Sequence, residues 1–290
     1  VVVTNGDGQS AILSKGWVYV GAPKIQGFNP SMGGVAGGSV VHIAGKNFAT
    51  GAKVTIGGKP VGTTAVLSAF VIKIQTAPGT AGPAAVKVTN PDGQSFTAEL
   101  PFLYTLPPEI DEIFPVKGSA AGNAPVIIRG KHFLNGVTVM FGKTPAKVVD
   151  FVDATAITVR TPAGTPGEPV AISITNPDSQ SAIANKAYTF IDPKDITPPP
   201  QVESVAPGMG PSSGGTWGML SAKQMAPGAQ AIFGIVPSAD FNVVGGGLAR
   251  FVTAPSPVTA VVDVYVINPD GGHGILAKGF KYVDPATLGP

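Results

Sequence analysis

Four short stretches carry side chains of the kind that ligate calcium or line a catalytic loop. Residues 3–10 read VTNGDGQS, 88–95 VTNPDGQS, 174–181 ITNPDSQS and 266–273 VINPDGGH. Each offers one carboxylate (Asp7, Asp92, Asp178 and Asp270), whereas calcium takes about six to eight oxygen ligands. The same residue types satisfy a β-turn. Pro presets one backbone angle, Asp or Asn bonds back to the main chain, and Gly accepts a positive φ. A motif that returns four times in one chain is read as architecture.

The other reactive side chains are dispersed. His42 falls in a strand pattern, His132 in a G-K-x-F stretch and His273 just after a turn, at unrelated places in the chain. No G-x-S-x-G elbow supports a Ser-His-Asp arrangement. Glu109, Asp111 and Glu112 cluster where a β-rich segment begins, which fits a solvated charged edge better than a glycosidase pair. The run GGVAGGS at 33–39 lacks the Lys-Ser/Thr ending and the following helix of a phosphate loop. Cysteine is absent, which excludes thiolate chemistry, Cys-ligated metal and a disulfide framework. No catalytic, metal or cofactor site is expected.

The elements that hold these residues repeat. The turn asparagines Asn5, Asn90, Asn176 and Asn268 are spaced by 85, 86 and 92 residues. Pro30, Pro115 and Pro207 step by 85 and 92 residues, as do Thr76, Thr161 and Thr253. Gly45-Lys46-Asn47-Phe48 realigns with Gly130-Lys131-His132-Phe133, and then with Ala222-Lys223-Gln224-Met225. This period suits a complete small β-sandwich and is too long for a solenoid repeat. Within one unit, SVVHIA (39–44), KVTI (53–56), FVIKIQ (70–75) and AAVKVT (84–89) alternate or are bounded by Gly, as half-buried strands do. No window sustains a helical period between the Gly and Pro punctuation. The fold class is all-β: tandem sandwiches of about seven short strands each.

The expected organisation is a last hairpin of one sandwich at 1–20, sandwiches at 22–105, 106–191 and 201–284, a Pro-rich linker at 192–200 and a tail at 285–290. Pro198, Pro199 and Pro200 should keep that linker extended and stiff. The chain opens without Met and partway through a repeat, so it reads as a piece of something longer.

Each repeat begins with an apolar strand and P-x-x-G (30–33, 115–118, 207–210). It continues through G-K-x-F, V-x-I/F-G, a Thr-led loop and V-x-V-T-N-P-D-G to a closing aromatic pair. This order resembles the IPT/TIG family of immunoglobulin-like domains over essentially the whole chain, with the third copy diverged. The resemblance implies a tandem immunoglobulin-like fold of a bacterial-type surface or secreted protein. Members occur in bacterial surface proteins, in receptor ectodomains and beside the catalytic domains of secreted polysaccharide enzymes.

Composition agrees with an extracellular or cell-surface place. Only 12% of residues are charged, about half the usual share, and the surface is rich in Thr, Ser, Gly and Ala. The three arginines (Arg129, Arg160 and Arg250) lie far apart, which excludes the basic footprint of a nucleic-acid binder such as a Rel-type factor. No apolar stretch reaches the roughly 18 residues of a membrane span. The expected function is a non-catalytic structural or adhesive rod that contacts other protein subunits, itself included, or glycan, in a filament, sheath or virion appendage. The alternative is an accessory glycan-associated or spacer region of a secreted polysaccharide-degrading enzyme. Trp17, Trp217 and the few tyrosines are not obviously set in the exposed row that glycan binding needs; Tyr19, Tyr104 and Tyr282 end closing strands, where core or junction packing is expected. The diverged third repeat gathers Met209, Trp217, Met219 and Met225, which read either as relaxed core packing or as a contact surface.

Overall fold

A computed structural model describes residues 1–14 and 21–287, so Trp17 and Tyr19 lie outside the described residues. The chain divides into two compact units, Val1–Leu106 and Pro107–Pro290. Among the described residues, all regular structure is β apart from two short 3-10 turns.

The first unit holds an exposed hairpin, Val2–Thr4 paired with Ser10–Ile12, and one sandwich. One sheet of that sandwich runs Lys24–Asn29, Val40–Lys46, Val71–Gln75, Thr63–Ser68 in spatial order. Facing it are Val86–Thr89 and Lys53–Ile56 with their edges, and Phe102–Thr105, which pairs parallel with Met32–Gly34. Strict alternation along Val40–Lys46 turns Val41 and Ile43 inward, where they meet Ile72, Ile74, Val88 and Phe102. Each buried aliphatic side chain of this kind contributes about 2 kcal/mol.

The second unit contains two sandwiches of the same topology. In the earlier one, the sheet Glu109–Phe114, Pro125–Lys131, Ala156–Arg160, Val148–Asp153 faces a five-stranded sheet built on Val170–Thr175 and Ser181–Ile191. In the later one, Gln201–Ala206, Trp217–Lys223, Leu248–Val252, Asp240–Gly245 faces a sheet built on Val261–Ile267 and His273–Val283. The recurrent prolines Pro30, Pro115 and Pro207 all follow cis peptide bonds.

The NPDG stretches are turns with a buried post. Asn90, Asn176 and Asn268 lie under the surface. In the second unit, Asn176 Oδ1 accepts from the Leu134 amide (3.1 Å) and its Nδ2 donates to the His132 carbonyl (2.8 Å). Asn90 does the same to Ala49 and Asn47, and Asn268 to Ala226 and Gln224. The Asn therefore clamps the G-K-x-F loop, whose x residue (Asn47, His132 or Gln224) has a positive φ near 60°. The Asp beside it caps its own turn, as in the bond from the Gln94 amide to Asp92 Oδ1.

The third repeat diverges by exchanging volume. A Cβ on Gly130 would strike the Glu109 carbonyl and lie 2.7 Å from the Phe133 ring. Where the third repeat has Ala222, the ring is replaced by Met225, which is partly buried against the core. A second exchange joins cross-strand partners. The pairs Val41–Ile74 and Val126–Val159 become Gly218–Phe251, and a Cβ on Gly218 would meet the Phe251 ring. Gly218→Val is expected to destabilise the third sandwich by about 2 kcal/mol through overpacking, and Phe251→Val should restore only part of it, because the Cβ also meets the Ala206 carbonyl at 2.5 Å. Urea denaturation of the single and double variants checks this; additive losses would contradict it.

Candidate functional site: the junction between the second and third sandwiches

Outward positions on a sandwich strand are ordinarily polar, and in the first unit they are Thr55, Lys87 and Thr89. The matching residues of the second sandwich are Met140, Ser173 and Thr175. In the third they become Ile232, Tyr265 and Ile267, so Val261–Ile267 ends buried on both faces. Both faces of that strand need cover. The cover comes from the second sandwich, where Ile127 and the partly buried Phe114 close a separate apolar cluster with these three residues. Ile127 and Ile232 retain only 3% and 1% of their exposure. The strand Pro125–Lys131 that carries Ile127 is accordingly buried at almost every position.

Polar groups fix the register of this contact. Arg160 Nη2 donates to Tyr265 Oη at 2.7 Å. Burial pushes the Tyr265 hydroxyl pKa up, against the downward pull of Arg160. The third NPDG turn reaches the linker: Asp270 Oδ2 accepts from the Thr197 amide (2.8 Å) and hydroxyl. Gly272 stands where the earlier copies have Gln94 and Gln180, each of which bonds to the Oδ2 of its own turn Asp. Losing that Gln opens Asp270 to the linker. Burial raises the Asp270 pKa, but the bonds from Thr197 and Gly272 outweigh it and leave the pKa below its ordinary value. Gly271, at φ +86°, sits so close to Gly118 that a Cβ would lie 2.6 Å from its Cα. No side chain fits there.

His273 follows this turn. Burial, and then the charge of Arg160, hold its imidazole below the ordinary value of 6.5. A depressed histidine is neutral when folded and protonates more readily when unfolded. Its share of stability is therefore present above about pH 6.5 and is lost as pH falls below it. Denaturation midpoints at pH 7.5 and 5.5 should differ more for the native chain than for His273→Gln. Equal differences would exclude the histidine as the cause.

Beside the junction lies a crevice of about 280 Å³ lined by Asp150, Thr158, Arg160, Asp263 and Tyr265 among others. Among the described residues, no group of three or more His, Asp or Glu is placed to hold a metal ion. The carboxylates at 109–112 form surface ion pairs, Glu109–Lys131 (2.8 Å) and Glu112–Arg129 (3.5 Å).

The four residues singled out in the third repeat do not come together. Met225 is partly buried against the third core at the place of Phe48 and Phe133, in keeping with the core-packing reading of that residue. Met209 lies on an edge strand of the other sheet and is exposed. Trp217 and Met219 share the outer face of Trp217–Lys223, the Trp exposed and the Met half-buried. The junction residues Ile127, Ile232, Tyr265 and Ile267 are the ones that sequence reasoning missed. Their signal was the lost alternation in VYVI relative to VKVT and ISIT.

A protein-family model described as IPT/TIG domain matches residues 23–104 and 108–190. Human fibrocystin-L is 31% identical over 172 residues, covering 58% of this chain and 4% of fibrocystin-L. Plexin-2 of Caenorhabditis briggsae is 30% identical over 107 residues, covering 36% of this chain and 6% of Plexin-2. The chain thus spans only a small part of these relatives. Among solved structures, the plexin A4 extracellular region superposes with a TM-score of 0.43 at 16% identity, over 88% of this chain and 24% of that one.

Proposed function

The chain belongs to the IPT/TIG domain family, and from that premise we propose that it is a non-catalytic, extracellular or cell-surface structural protein. In this reading its sandwiches present and space protein contacts, and residues 201–284 are a third, diverged domain of the same kind, joined to 106–191 by the linker 192–200. The observation that carries the proposal is the junction itself. The third repeat gives up the polar outer face of its sheet to bury Ile232, Tyr265 and Ile267 against Ile127. Residues are invested in fixing one domain on another. Low charge suits close packing against further protein subunits.

Treating intact source cells with a membrane-impermeant amine reagent tests this. The exposed lysines, Lys53 and Lys87 among them, should be labelled without lysis. Protection until lysis would overturn the surface assignment. Saturable binding on a glycan array would replace the protein-contact reading with the accessory, glycan-associated one.

A further inference from the structure

The outer face that the second sandwich offers to the third has a counterpart on the third sandwich that stays largely open. The positions of Pro125, Ile127 and Arg160 correspond, one repeat on, to Trp217, Met219 and Val252. The cross-strand pairing is the same: Pro125 faces Arg160, and Trp217 faces Val252. On the second sandwich Pro125 and Ile127 are both buried, whereas their counterparts Trp217 and Met219 are 60% exposed and half-buried. Trp and Met in the middle of an outer sheet face are out of place against water and favoured at interfaces.

The route to that face is also repeated. One residue after the closing strand Ser181–Ile191, Asp192 Oδ1 accepts from the Lys194 amide (3.0 Å) and starts the 3-10 turn Pro193–Asp195. This turn opens the linker that leads to the docked third sandwich. After the closing strand His273–Val283, Asp284 Oδ1 accepts from the Ala286 amide (2.9 Å) and starts the turn Pro285–Thr287. The first sandwich closes differently, with Thr105-Leu106-Pro107 and no Asp-Pro step. The docking face and the linker turn therefore recur together on the third sandwich.

We propose that the Trp217–Met219 face seats a further sandwich domain of the same family, joined in tandem through the Asp284 turn as the third is joined through the Asp192 turn. The occupant presents an apolar outer strand like that of Ile232 and Tyr265. It also carries an acceptor for Arg250, which stands across from Met219. The inference rests on reading the junction as structural, but it does not need the surface location. Cell labelling and the experiment below therefore fail independently.

Hydroxyl-radical footprinting with peptide mass spectrometry should compare residues 1–290 with the native protein from its source. Oxidation of Trp217 and Met219 is expected to fall about tenfold in the native protein, in keeping with the burial of Ile127, while Met209 stays reactive. In the native protein, Trp217→Asp should restore Met219 oxidation without changing exchange protection of the third core. Equal Trp217 oxidation in both proteins would overturn the proposal. So would protection already present in residues 1–290 together with a doubled particle mass, which would mean that two copies pair face to face.

Discussion

Asn176→Ala is expected to cost the second sandwich about 2–3 kcal/mol, because it strips partners from a partly buried amide and a partly buried carbonyl at once. Asn176 is 2% exposed and holds both backbone groups of the 132–134 loop. That loop contains His132 at a positive φ of 60°, a conformation that a non-glycine residue keeps only where its surroundings hold it. Asn176→Asp should be at least as damaging near neutral pH. The acceptor survives, but a carboxylate oxygen replaces the donor opposite the His132 carbonyl. Asp178→Ala, by contrast, removes the bond from the Gln180 amide to Asp178 Oδ1 (2.9 Å) at a turn near solvent, and should cost about 1 kcal/mol. Urea denaturation read by hydrogen exchange in the core strands separates the two. Calcium should shift neither variant nor the parent chain. An equal cost for Asn176 and Asp178, or stabilisation by calcium, would return the motif to a ligand role.

The repeat, the all-β class and the turn at NPDG were legible because they rest on spacing and on local residue chemistry. The clamp made by Asn176 was not, because its partners lie some 42 residues away and Asn is an ordinary turn residue. The exchanges of volume were visible only as oddities. WGML and AKQM look like loss of pattern until Gly218 is found facing Phe251 and Met225 filling the place of Phe133. The divergence of the third repeat therefore has two causes that composition alone confounds. Met225 and Gly218 answer to the core inside the sandwich. Ile232, Tyr265 and Ile267 answer to another domain outside it, and the mark of that second demand is a strand that has lost its polar alternate positions.

Ile232→Asp places a carboxylate in an apolar cluster whose neighbouring cation, Arg160, is already engaged by Tyr265 and shares the adjoining crevice with Asp263. Ile232 is surrounded by Ile127, Tyr265 and Ile267, and a poorly compensated charge buried there costs about 3 kcal/mol. The two sandwiches keep separate cores that do not include Ile232. The least costly response is for the junction to open and hydrate the carboxylate while each sandwich stays folded. The expected result is a chain whose third core keeps its exchange protection, while the amides of Pro125–Lys131 and the side chain of Ile127 become reactive. Labels on the two sandwiches should then give a broad distance distribution where the parent gives a narrow one. Tyr265→Phe tests the polar half of the same contact. It removes the acceptor for Arg160 together with the hydroxyl's own contact to Asp263, and should weaken docking by about 1–2 kcal/mol without opening it. If Ile232→Asp instead unfolded the third sandwich outright, the apolar outer face would belong to that domain's own stability. The junction would then be a by-product of packing, not the means by which one domain is held on the next.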